Sequence, residues 1–157
     1  VLNVYGGESL HHPNVVEILR SARQKHKDYA AKWSLTVTTT TNAIVSAAKL
    51  AKIIPLIDEF TVSYHSENTA KQKQQFRDNC LMIKTSGKKI KCVILMHAKH
   101  SLFKDSQTHI DWCIDNDIDT DKCVELIGAC GVSPVPDIEW SLEIPEKYIT
   151  WFILKWL

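Results

Sequence analysis

The stretch VLNVYGGESLHHPNVVEIL, residues 1–19, governs how the rest of the chain is read. Val1, Leu2, Val4 and Tyr5 are strand formers, Gly6 and Gly7 make a tight turn ending at Glu8, and His12-Pro13 leads into Val15, Val16, Ile18 and Leu19. That order predicts a strand, a glycine corner and a helix. A strand of this kind needs a neighbour on each side and none precedes it, so the expectation is a domain truncated at its N-terminus.

The same alternation continues. The first helix is predicted over about 13–27, and WSLTVTTTT predicts a β-branched strand from Trp33 to about Thr40. Asn42 is placed to cap a second helix, in which Ala43, Ile44, Ala47, Ala48, Leu50, Ala51 and Ile54 keep a 3.6-residue rhythm until Pro55. IDEFTVSYH alternates Phe60, Val62 and Tyr64 with polar neighbours and predicts a third strand. A helix over about 68–85 follows, with Phe76, Cys80 and Ile83 inward and Gly87 as its stop. KIKCVILMH predicts a fourth strand, apolar enough to be covered on both faces. A helix over about 105–116 turns Ile110, Cys113 and Ile114 inward.

Four strand-then-helix units at intervals of about 30 residues call for repeated right-handed crossovers, in a doubly wound parallel sheet or in part of a (β/α) barrel. The fold class is therefore α/β with parallel strands. Residues 1–120 form its core, and 121–157 form an irregular segment ending in a short aromatic helix, EKYITWFILKWL.

Composition excludes several classes. The 157 residues are 45% hydrophobic and 24% charged, which suits one ordinary globular domain, and the net charge of +1 gives no nucleic-acid or anionic-membrane signal. No apolar run approaches the roughly 20 residues of a membrane helix, and no leader precedes Val1. The expectation is a soluble cytoplasmic protein. Cys80, Cys92, Cys113, Cys123 and Cys130 are odd in number and irregular in spacing, with no C-x2-C pair. They are expected to be reduced, with most of them small core residues rather than zinc ligands.

In parallel α/β folds, chemistry collects at the carboxyl ends of the strands. That rule selects Gly6, Gly7 and Glu8; Thr40, Thr41 and Asn42; Ser63 and His65; and His97. The glycine corner beside Glu8 suits a cationic amino group, or else simply makes a turn before a helix N-terminus. The threonine hydroxyls and Asn42 suit a carboxylate or a ribose, unless Asn42 is only a cap. Ser63 and His65 stand two apart on one strand and share a side, where a sugar hydroxyl could bind. His97 with His100, and His11 with His12, lack a third partner for a metal. Neither G-x-G-x-x-G nor G-x4-G-K-[ST] occurs, so dinucleotide and P-loop sites are unsupported.

Resemblance adds to this. LNVYGGESLHHPNVVEIL resembles the second strand and following helix of the radical S-adenosylmethionine enzymes, whose motif there is G-G-E, usually followed by Pro. LTVTTTTNA resembles the family's third strand with its T-N-G ending, IDEFTVSYHSE the fourth with its S-x-D or S-x-H ending, and IKCVILMH the fifth. The likeness covers residues 1 to 97 and continues weakly to about 117. It implies a partial (β/α)6 barrel with a [4Fe-4S] cluster and S-adenosylmethionine, reductive cleavage to a 5′-deoxyadenosyl radical, and hydrogen abstraction from a small-molecule or peptide substrate. It also implies an electron donor such as a flavodoxin or ferredoxin.

Carried over by position, Gly6, Gly7 and Glu8 would hold the methionine amino group, Thr41 or Asn42 the neighbourhood of its carboxylate, and Ser63 and His65 the ribose. Ser9 stands where the family has Pro, Ala43 where it has Gly, and Tyr64-His65 where it has x-Asp. The family's cluster loop, C-x3-C-x2-C, belongs upstream of the G-G-E strand. Its ligands are expected ahead of Val1, so the fragment alone should not generate the radical. Cys113, Cys123 and Cys130, with nine and six residues between them, suit at most an auxiliary cluster. The competing readings are a degenerate barrel binding a nucleoside or a partner protein without a cluster, and a phosphate-binding (β/α) enzyme.

Overall fold

The computed structural model describes residues 1–4, 8–29, 34–97 and 100–125. The Gly6-Gly7 corner, the expected strand start at Trp33 and the expected C-terminal aromatic helix lie outside them.

Five strands alternate with four helices: β1 (Leu2–Val4), α1 (Val15–Tyr29), β2 (Val37–Thr41), α2 (Ala47–Ile53), β3 (Glu59–Tyr64), α3 (Ala70–Thr85), β4 (Lys89–His97), α4 (His100–Asp115) and β5 (Asp119–Glu125). Short 3-10 turns at Ser9–His11 and Ile54–Leu56 precede α1 and extend α2. The strands are all parallel and lie in the order β1-β2-β3-β4-β5. Right-handed crossovers that always step to the next strand in one direction lay every helix on the same face. A doubly wound sheet needs a reversal of strand order, and the described sheet has none.

Burial follows that geometry. Register aligns Thr41, Val62 and Cys92, and likewise Tyr64 with Ile94; all five are buried. With Val37 and Phe60 they pack on Val15, Val16 and Leu19 of α1, Leu50 and Ile53 of α2, Phe76, Cys80 and Ile83 of α3, and Ile110 and Cys113 of α4 in one apolar cluster. The opposite face carries Asn3, Thr38, Thr40, Glu59, Thr61, Ser63, Lys89, Lys91 and Asp119, none of them buried. The expectation that β4 is covered on both faces is therefore corrected: Lys91 is exposed and Val93 only half-buried. Its buried residues Ile90, Cys92 and Ile94 share the helical face.

Three local expectations also change. The second helix begins at Ala47, capped by Ser46, whose hydroxyl accepts the Lys49 N–H at 3.3 Å, so Asn42 is not its cap. Ala43 has φ 52, a left-handed conformation that no helix continues through. The loop is held open because Asn79 of α3, itself buried, donates to the carbonyls of Ala43 and Val45 at 2.7 and 2.8 Å. Ile114 is 66% exposed rather than inward, since the helical period carries it off the buried stripe of Ser106, His109, Ile110 and Cys113. β5 is a further strand, running across the boundary drawn between 120 and 121; its pairing with β4 extends from Lys91–Asp119 to His97–Glu125.

The remaining elements match. α3 starts with a capping box between Thr69 and Gln72 and ends before Gly87 at φ +76, a turn that needs glycine's freedom. At the amino ends of the strands, Arg23 of α1 donates to the Leu35 and Leu56 carbonyls and to Asp58 at 2.7 Å, and Asp58 also accepts the Val37 N–H at 2.7 Å. Among the described residues, no helix is long and apolar enough to cross a membrane.

Candidate functional site

At the carboxyl ends of β1 and β2, Glu8 directly precedes the Ser9–His11 turn. Its carboxylate spans to the end of β2, accepting the Thr41 hydroxyl on one oxygen and the Asn42 N–H at 2.7 Å on the other. Thr41 and Asn42 are shaped for this by their own turns. The Thr41 oxygen accepts the Ala43 N–H at 2.9 Å, and the Asn42 side-chain oxygen accepts the Ile44 N–H at 2.9 Å. Such local bonds are what these residue types form in place of a helix. Both partners of Glu8 are neutral donors, and among the described residues no Lys, Arg or His forms an ion pair with it. Among the described residues, the half-buried carboxylate thus meets only the neutral Thr41 and Asn42 donors.

Other residues selected from the sequence gather less closely. Ser63 lies half-buried on the uncovered face of β3, one position past Val62, which aligns with Thr41. It is thus level with Asn42. His65 lies just beyond the strand, its Nδ1 3.2 Å from Glu67 Oε1. No hydrogen bond among the described residues joins Ser63 or His65 to the Glu8 group. Thr40 is exposed on the uncovered face, and His97 is the last residue of β4. His11 Nε2 lies 2.8 Å from the Ile44 carbonyl, while His12 Nδ1 accepts the Asn14 N–H. The adjacent pair thus makes separate local bonds.

Ser66 was not selected from the sequence. It is 2% exposed, and its hydroxyl has no hydrogen-bond partner among the described residues. Its place directly after His65, at the carboxyl end of β3, was the available signal.

A second constellation lies inside the helical face. Cys92 of β4 and Cys113 of α4 each place Sγ 3.6 Å from His109 Nε2. The His109 ring stacks on Tyr64 at 3.6 Å between centroids and on Trp112 at 5.1 Å. Tyr64 in turn donates to Asp105 at 2.8 Å, and Lys73 pairs with the same carboxylate at 2.9 Å. Burial first, then the bond to Asp105, pushes the Tyr64 phenol well above its ordinary range, so it stays a donor. The contact with Cys92, and after it the His109 ring, hold the Cys113 thiol down to about 6 against its burial. The same pairing, then burial, pushes Cys92 far upward. Spacing concealed this group because Cys92 is on a different element; only His109 and Cys113, four apart in one helix, were legible as neighbours.

A cleft at the opposite, amino ends of β3 to β5 is lined by Glu59, Thr61, Lys84, Lys88, Lys89 and Asp117. Lys84 pairs with Asp117 at 2.7 Å and Lys89 with Glu59 at 2.9 Å, and Lys88 lies 4.0 Å from Asp58. It is a rim of surface ion pairs, of the kind that contributes little.

Comparison with protein-family models, with curated proteins and with solved structures found no match to this chain.

Proposed function

We propose that the chain is part of a radical S-adenosylmethionine enzyme whose cofactor lies at the carboxyl rim of a partial (β/α) barrel. The observation that carries this reading is the Glu8 carboxylate, held by Thr41 and Asn42 yet joined to no cation among the described residues. In this role Glu8 and the Gly6-Gly7 backbone receive the methionine ammonium, and Thr41 and Asn42 border its carboxylate. Ser63 and His65 receive the ribose.

Two further features support it. Helices cover one face of a parallel sheet in consecutive order, as the strands and helices of a (β/α) barrel do. Ala43 adopts a left-handed conformation at the position where the family pattern has glycine. One-electron cleavage of the sulfonium is the chemistry a [4Fe-4S] cluster supplies when bound. Cys80, Cys92 and Cys113 are buried on the helical face rather than at the rim, so they do not fit as its ligands, which are expected ahead of Val1. The residues of this chain bind and orient the cofactor; the electron comes from a donor such as a flavodoxin or ferredoxin.

The test is to read the coding DNA upstream of Val1, express the extended protein, reconstitute it anaerobically and assay 5′-deoxyadenosine after reduction with dithionite. A C-x3-C-x2-C loop and 5′-deoxyadenosine formation are the expected results. A further upstream strand without a three-cysteine loop overturns the reading and leaves a nucleoside-binding barrel without a cluster.

A further inference from the structure

We propose that Cys92, His109 and Cys113 form a buried site for a thiophilic divalent ion of the zinc class, set between β4 and α4 and separate from the carboxyl rim. The proposal does not depend on the function proposed above.

The ligand atoms already have the required spacing. Zinc takes thiolate sulfur at about 2.3 Å and imidazole nitrogen at about 2.0–2.1 Å in a tetrahedral array, which sets sulfur and nitrogen about 3.5 Å apart. Both Sγ–Nε2 separations are 3.6 Å, and all three donor atoms lie within 4.8 Å of one another. Two thiols closing on one ring nitrogen is more than hydrogen bonding can use. A neutral imidazole nitrogen offers either one N–H or one lone pair, so one of the two contacts is surplus without an ion. A divalent ion engages all three atoms at once.

Local structure holds the donors where the ion needs them. His109 and Cys113 are four apart in α4 and so stack on one helix face. Cys92 sits at an inward position of β4, aligned with Val62. His109 Nδ1 is buried without a hydrogen-bond partner, so the ring is oriented by stacking between Tyr64 and Trp112 rather than by the usual outer hydrogen bond. Two thiolates and a divalent cation sum to zero charge, which removes most of the cost of burying separate ions. Soft thiolate ligands select zinc over magnesium or calcium. Cys80 of α3 is buried in the same apolar cluster but lies outside the trio whose donor atoms fall within 4.8 Å of one another.

The test uses the 157-residue chain, purified untagged from zinc-supplemented medium without chelator. Elemental analysis should find about one zinc per chain, and X-ray absorption at the zinc edge should give at least two sulfur ligands and one nitrogen. Cobalt titrated into the reduced, metal-free protein should give thiolate-to-cobalt charge transfer in the near ultraviolet. Cys92→Ala and Cys113→Ala should each weaken cobalt binding at least about tenfold. The absorption measurement on the unsubstituted protein decides the matter even if the variants fold poorly. Metal-free protein from zinc-rich medium with no thiolate band on cobalt addition overturns the proposal, as does zinc retained in full by the Cys92→Ala/Cys113→Ala double variant.

Discussion

The two ends of β2 are gripped in the same way and mean different things. At the amino end, Asp58 accepts the Val37 N–H at 2.7 Å; at the carboxyl end, Glu8 accepts the Asn42 N–H at 2.7 Å. The difference lies in the second partner. Asp58 is paired with the guanidinium of Arg23, with Lys88 4.0 Å away, so its charge is balanced inside the protein. Glu8 has the Thr41 hydroxyl instead. A carboxylate that already has its cation is a fastener, whereas one held only by neutral donors is positioned and still able to take a cation from outside.

Removing the cation from the anchor should have the largest effect on stability. Arg23→Ala deprives Asp58 of its counter-charge and two carbonyls of their donor, and should cost about 2 kcal/mol, discounted for partial exposure, in urea unfolding. A loss as small as that of an ordinary surface substitution would erase the contrast between the two ends. At the other end, Glu8→Gln keeps an acceptor for Asn42 and a partner for Thr41 but removes the charge. In the cluster-bearing protein its affinity for S-adenosylmethionine should fall about tenfold, or about 1.4 kcal/mol, with unfolding nearly unchanged. Calorimetry showing equal affinity would make Glu8 a second fastener.

Acid separates the ends further. Burial alone would raise the Asp58 carboxyl, but the Val37 N–H, Arg23 and Lys88 outweigh it and hold it below its ordinary value of 3.8. A group depressed in the folded state contributes stability in full above 3.8 and loses it as pH falls through the folded value. Asp58→Asn should therefore cost about 1 kcal/mol at pH 7 and flatten the fall in stability below about pH 4. A parallel offset at every pH would show that the charge is not what matters. The smallest effect is expected at Ala43, whose left-handed conformation glycine adopts without penalty. Ala43→Gly should stabilise by up to about 0.5 kcal/mol after the added freedom of the unfolded chain is counted. A clear loss would mean that the Ala43 methyl, fully buried, matters more than its backbone.

Much of this architecture was legible from periodicity. The alternation in EFTVSY, the inward stripe of Phe76, Cys80 and Ile83, and the stop at Gly87 follow from local rules, and the structure repeats them. Three features were harder to read. The start of α2 was misplaced because Asn42 and Ser46 are equally good caps in one dimension; the choice between them is made by Asn79, 37 residues beyond Asn42 in the chain, taking the loop carbonyls. β5 was missed because DTDKCVE carries four charges in seven residues and is held by pairing with β4, a partner that no local pattern reveals. Of the rim residues, Glu8, Thr41 and Asn42 could be selected by the rule that strands end at the mouth, although not the bonds among them.

The sequence by itself determined most of the strands and helices, β5 and the start of α2 excepted, that the strands run parallel, and which short list of polar residues stands at their carboxyl ends, because these follow from contacts within a few residues and from the handedness of crossovers. Only the tertiary structure decided that all helices share one face, that Glu8 is fastened across to β2 while Asp58 is neutralised, and that Cys92 meets His109 and Cys113. Those outcomes depend on strand order and on side chains brought together from distant parts of the chain, and neither composition nor spacing records either of them.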